Sequence, residues 1–326
     1  MERVVKQKLH GTKPHTFDDV IYERESQKEI ADNFYLETIR DIKDIDMVTW
    51  RRDATKGEDI SDGSIQTTTK NVKVDDHYVP IRIYQSQTPS KKAVLFIHGG
   101  AFAIGSILTK DAQCKYLAQV SNATVIALDY RLAPENPFPC GLEDCLGVLR
   151  WMKKMPFEKI IIGGDSAGGN LSAVCCLEEQ VDLVFLIYAA LDLAPAEETE
   201  YHWDYSLYEM DKEQENVIKN RLLRFKIGAK EMLALYLKEG EDYHNPRISP
   251  YYSDALNKFP RCLFINSEYD YYYPNCVEFA KKLEENNVPC KEIFYEGMDH
   301  GFFDRLGTIE QTKDCIEEIA KEIIAL

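Results

Sequence analysis

Short, nearly uninterrupted apolar runs recur along this chain at Ala93–Ile97, Thr124–Leu128, Lys159–Ile162, Leu183–Ile187 and Cys262–Ile265. Runs of four or five such residues mark strands buried on both faces, as in a parallel sheet covered by helices. Between them the spacing changes to three and four residues, which predicts helices over Lys110–Val120, Leu142–Met152, Ala167–Leu177, Cys276–Glu284 and Thr312–Ile324, with a last strand at Lys291–Tyr295. Upstream, Ser64–Val74 and Tyr78–Tyr84 alternate apolar and polar residues around Asp75-Asp76, the pattern of an antiparallel hairpin. The sum is an α/β fold: β-α alternation around a mostly parallel sheet.

Two stretches stand outside this alternation. Residues 1–55 and 194–258 carry no strand pattern, and the second has helical spacing at Val217–Phe225 and again at Ala229–Leu237. We expect a core formed by residues 56–193 and 259–326, and a cap formed by the N-terminal 1–55 and the insertion 194–258. The polar face of the inserted helices mixes charges, which suits a packed helix rather than a membrane anchor.

Composition narrows the partners. With 39 Lys and Arg against 55 Asp and Glu, the formal net charge of −16 disfavours nucleic acid and anionic bilayers and favours a neutral small molecule. The polar N-terminus lacks a signal-peptide core. The run Val181–Ala194 is broken by Asp182 and Asp192 and is too short to span, so a cytoplasmic protein without stable membrane insertion is expected. Nine cysteines without metal spacing read as free thiols. The histidines form no HExxH or clustered set, and no phosphate-binding or dinucleotide fingerprint appears, so no metal and no cofactor is expected. A homodimer is left open. The sequons at Asn122 and Asn170 read as incidental, since a glycan on Asn170 would block the residues described next.

Ile161–Asn170 runs an apolar strand into Gly164-Asp-Ser-Ala-Gly168 and then a helix. This is the context of a nucleophile elbow, in which Ser166 projects from a sharp turn and only small flanking residues allow the close approach. A serine hydroxyl needs a histidine base, and the histidine needs a carboxylate to orient it. Asp270 follows the strand ending at Ile265, and His300 follows the last strand in a glycine-containing loop. Glu268 is the runner-up acid and Asp299 a local rival. Acyl transfer also needs donors for a developing oxyanion. His98-Gly-Gly-Ala-Phe102, directly after a strand, offers the amides of Gly100 and Ala101, joined by that of Ala167 after the nucleophile. His98 itself reads as a brace for the loop.

These motifs, with DYRLAPE at 129–135, FPCGLEDC at 138–145, SEYD at 267–270 and GMDHGF at 297–302, resemble the hormone-sensitive-lipase-like esterases of the α/β-hydrolase superfamily over roughly residues 60–326. The resemblance implies the α/β-hydrolase fold, with an eight-stranded, mostly parallel sheet whose second strand is reversed, flanked by helices, and a helical cap. It places Ser166, Asp270 and His300 on the family's triad and Gly100, Ala101 and Ala167 on its oxyanion hole, with Tyr130, Arg131 and Asp144 structural. Three departures stand out: Ala101 replaces a frequent glycine, Tyr271-Tyr-Tyr273 follows the acid, and Ala189 or Ala190 takes the place of a common proline. The expected activity is hydrolysis of small, short-acyl carboxylic esters through an acyl-enzyme. The alternatives are deacetylation of sugars or small alcohols, and a non-catalytic small-molecule-binding protein on the same fold.

Overall fold

A computed structural model describes residues 1–32, 46–86, 88 and 90–326 of the chain. Its strands are β1 (Glu2–Lys6), β2 (Gln66–Val74), β3 (His77–Gln85), β4 (Lys92–Ile97), β5 (Thr124–Leu128), β6 (Lys159–Asp165), β7 (Leu183–Ile187), β8 (Arg261–Tyr269) and β9 (Cys290–Asp299). They form one sheet in the order β1-β9-β8-β7-β6-β4-β5-β3-β2. The hairpin β2–β3 is antiparallel, β3 is also antiparallel to β5, and every other neighbouring pair is parallel. The turn of the hairpin takes Asp75 to φ +47°.

The inner stretches of the central strands, residues 93–97, 125–128 and 183–187, are apolar throughout because both faces are covered. Along β4, Ala93, Leu95 and Ile97 pack toward α4 (Cys140–Met152), α5 (Ala167–Glu178) and α7 (Tyr273–Glu285), while Val94 and Phe96 pack toward α3 (Asp111–Ser121) and α8 (Glu310–Ile324). Each face of the sheet thus has its own buried cluster.

Two expectations need correction. The sheet has nine strands instead of eight: Glu2–Lys6 adds an edge strand parallel to β9, so these residues belong to the sheet and not to the cap. At an edge a strand can be short and charged, which is why its sequence shows no apolar run. Second, the two helical stretches of the insertion are one helix, α6 (Glu215–Tyr236), that continues through Gly228. The rest of the region expected to form the cap contains α1 (Asp19–Asp32) and α2 (Met47–Arg52). Residues 33–45 of the expected 1–55 cap segment lie outside the described residues. Among the described residues no helix is long and apolar enough to cross a membrane.

Candidate active site

Ser166 stands between the end of β6 and the start of α5 with φ +54° and ψ −117°, a backbone conformation that costs on the order of 1–3 kcal/mol for a residue with a side chain. The flanking glycines explain how the turn is possible. A Cβ on either Gly164 or Gly168 would lie 2.0 Å from the carbonyl oxygen of Ile97, so the turn lies directly against β4. The Ser166 amide donates to Ile187 O at 2.9 Å, which fixes the turn to β7 as well.

Because β6 to β9 are parallel, their carboxyl ends share one edge of the sheet, and the residues following β6, β8 and β9 gather there. The register of the last pair does the final alignment. Ser267 pairs with Tyr295, but Tyr269 pairs with Asp299, so β9 carries two extra residues in a bulge. Asp270 and His300 then follow a matched pair and meet. His300 Nδ1 lies 2.7 Å from Asp270 Oδ2, and Nε2 lies 2.9 Å from Ser166 Oγ. With an ionised carboxylate, Nδ1–H is the donor, leaving Nε2 to accept from the serine hydroxyl.

Asp270 is fully buried. It accepts from the Tyr272 amide at 2.7 Å, and its backbone oxygen accepts from Tyr208 OH at 2.8 Å. The imidazole lies between Tyr188 and Phe225, with ring centroids 4.6 and 4.3 Å away. The two rival acids are engaged elsewhere. Glu268 accepts from the Gly297 amide at 2.7 Å, holding the bulge, and burial raises its carboxyl above the usual range. Asp299 is enclosed by Arg24, Arg221 and Arg305.

The loop after β4 passes through three successive left-handed residues, Gly100 (φ +118°), Ala101 (φ +49°) and Phe102 (φ +62°). Ala101 therefore carries the strain that its replacement of glycine implies. Stacking of Phe102 on Tyr236, with centroids 3.8 Å apart, offsets part of it. Among the described residues, the amides of Gly100, Ala101 and Ala167 donate to no protein acceptor. The loop is braced on several sides. Asp165 Oδ1 accepts from the Gly99 amide at 2.9 Å and Oδ2 lies 3.0 Å from Lys110 Nζ, which also pairs with Asp304. Arg51 of α2 donates to Ala103 O at 2.8 Å. His98 is buried against Tyr130, its Nδ1 on Gly99 O and its pKa lowered by burial.

A cavity of about 440 Å³ opens over Ser166, lined by Ala101, Phe102, Ala190, Tyr272, Trp50 and one side of α6 that includes Arg221, Phe225 and Met232. No group of metal-ligating side chains occurs among the described residues. Sequence reasoning missed Lys110, Arg51, Tyr208 and Arg221. Their charges and hydroxyls are those of ordinary surface positions, and only the long-range pairing distinguishes them.

Residues 94–304 match the family model described as the alpha/beta hydrolase fold. An arylesterase of Saccharolobus solfataricus is 31% identical over 277 residues, covering 79% of this chain and 84% of the relative. The chain belongs to the hormone-sensitive-lipase-like esterases. An ethyl acetate hydrolase of Pseudomonas putida is 26% identical over 78% of this chain and 79% of its own length. Among solved structures, a hyperthermophilic esterase from Pyrobaculum calidifontis aligns with a TM-score of 0.76 at 26% identity, covering 95% of this esterase and 98% of that one.

Proposed function

We propose that this carboxylic-ester hydrolase works through Ser166, His300 and Asp270, with the amides of Gly100, Ala101 and Ala167 as its oxyanion hole. The observation that carries the reading is the 2.9 Å approach of His300 Nε2 to a serine held on a strained elbow. Ser166 Oγ attacks the ester carbonyl while its proton passes to Nε2, and the carbonyl oxygen becomes an anion facing the three amides. Each such donor is worth roughly 3 kcal/mol of barrier. Collapse breaks the bond to the alcohol oxygen, which takes the proton from His300 and departs. Water then attacks the acyl-enzyme, gives its proton to Nε2, and the acid leaves as that proton returns to Oγ. Asp270 holds the imidazole tautomer and stabilises the imidazolium throughout.

The size of the cavity favours compact esters, since it sits toward the lower end of the roughly 300–1,000 Å³ range of small-molecule sites. Its lining of Trp50, Phe102, Phe225, Met232 and Leu233 suits an apolar acyl or aryl group. Deacetylation of a sugar or small alcohol would use the same groups and differ only in the alcohol released. The test is turnover of p-nitrophenyl acetate, butyrate and octanoate and of an acetylated sugar, with wild type and Ser166→Ala, together with labelling by a fluorophosphonate. Loss of turnover and of label in the variant is expected. Substantial residual hydrolysis by pure S166A would overturn the assignment.

A further inference from the structure

We propose that Arg221, on the cap helix α6, is a positioning residue for His300, so that the cap holds the base as well as covering the substrate. The inference rests on the triad reading above. β9 makes its last ladder pair at Asp299, so His300 lies one residue beyond the support of the sheet. Its ring is tied to Asp270 and Ser166, but its main chain is tied to α6: Arg221 Nη2 donates to His300 O at 3.0 Å, while Nε donates to Asp299 Oδ2, also at 3.0 Å. One guanidinium thus grips two successive residues. A planar fork does this with less loss of side-chain freedom than two separate donors would need. One helical turn further along, Phe225 closes over the imidazole at 4.3 Å.

The grip is itself anchored. Asp299 is fully buried and also binds Arg24 of α1 and Arg305, and Glu25 of α1 joins Arg24 to Arg221 and Arg224. A charged chain therefore runs from the N-terminal helix across the cap to the base loop. Arg221, Phe225 and Met232 also line the cavity over Ser166. A substrate group seated against α6 presses on the same element that sets the height of the imidazole. Retracting α6 would withdraw both the pocket wall and the support of the base, so an esterase with its cap displaced should bind substrate poorly and turn it over more poorly still.

The experiment compares Arg221→Met, Arg221→Lys and Arg24→Met on p-nitrophenyl butyrate, with S166A as the reference for loss of the triad. Methionine keeps much of the arginine's apolar stem but removes both hydrogen bonds, and Arg24 and Arg305 remain to neutralise Asp299. Because misplacing a reacting group by about 1 Å costs on the order of 100-fold, R221M should lose about 10- to 100-fold in kcat with KM within about threefold. Its labelling by fluorophosphonate should slow in parallel. R221K, able to reach one acceptor but not both, should fall between, and it decides the matter if R221M does not fold. R24M takes a cation from Asp299 but leaves both hydrogen bonds of Arg221 in place, so it should lose clearly less kcat than R221M. Wild-type kcat in R221M, or an equal loss in R24M, would overturn the proposal. Neither result would touch the triad assignment, which stands or falls with S166A.

Discussion

Replacing Lys110 by methionine should expose how the loops around Ser166 are held together. The ammonium lies 3.0 Å from Asp165 and also pairs with Asp304, and the side chains of Lys110 and Asp165 are each only 5% exposed. Asp165 precedes the serine and holds the Gly99 amide, while Asp304 lies four residues past His300, so one cation joins the elbow, the loop after β4 and the loop after β9. Removing one partner of a buried ion pair costs roughly 3–5 kcal/mol. Asp304 is 30% exposed and Asp165 keeps its amide donor, which places the expected loss near the lower end, about 3 kcal/mol at pH 8. The pH dependence has a definite sign. Burial already raises the Asp304 carboxyl above its ordinary value despite the lysine, and without the lysine it rises further. The folded protein then holds that proton more tightly than the unfolded chain, so stability is lost as pH climbs through the raised value. The penalty of K110M should therefore be smaller at pH 5 than at pH 8. The assay is urea unfolding of K110M, Asp304→Asn and the double variant at both pH values. At pH 8 the double variant should cost about 1–2 kcal/mol less than the sum of the singles. Additivity within about 0.5 kcal/mol, or a K110M penalty equal at both pH values, would refute the reasoning.

Asp270→Asn should leave the melting temperature nearly unchanged and lower kcat by about 10⁴, since it disturbs the imidazole tautomer and little else; steady-state kinetics beside a thermal melt check both halves. Gly168→Ala should abolish turnover, because its Cβ would sit 2.0 Å from Ile97 O and 2.6 Å from His98 O, both backbone atoms that can yield only by moving the loop after β4; fluorophosphonate labelling reports it. Asp192 is buried and its carboxyl is pushed up to about 6 by desolvation. The stability it contributes is present below about pH 4 and lost as pH rises through 6, so Asp192→Asn should raise stability at pH 8 by up to about 3 kcal/mol and change it little at pH 4, as measured by denaturant melts. Gly228 lines the cavity and a Cβ there meets open space. Gly228→Phe should therefore cut kcat/KM for octanoate or benzoate esters more than tenfold while sparing acetate, an outcome that a general loss of folding could not produce.

The parts of this esterase decided by neighbours in the chain were open to reading from its residues. Two-sided burial forces continuous apolar runs, so the central strands announce themselves, and the elbow at 164–168 does so because no residue larger than glycine fits against Ile97 O. The chain order of serine, acid and histidine candidates was visible for the same reason: each follows a recognisable strand. What the tertiary structure alone decided is register and long-range charge. The two-residue bulge in β9 sets His300 beside Asp270 and leaves Glu268 to hold the Gly297 amide, and no periodicity along either strand encodes that offset. β1 joins the edge of the sheet through a pairing that spans almost the whole sequence. Arg24 finds Asp299 across 275 positions, and Arg221 finds His300 across 79. A charged residue has the same local signature whether it faces water or a buried partner, and only the packed fold distinguishes the two.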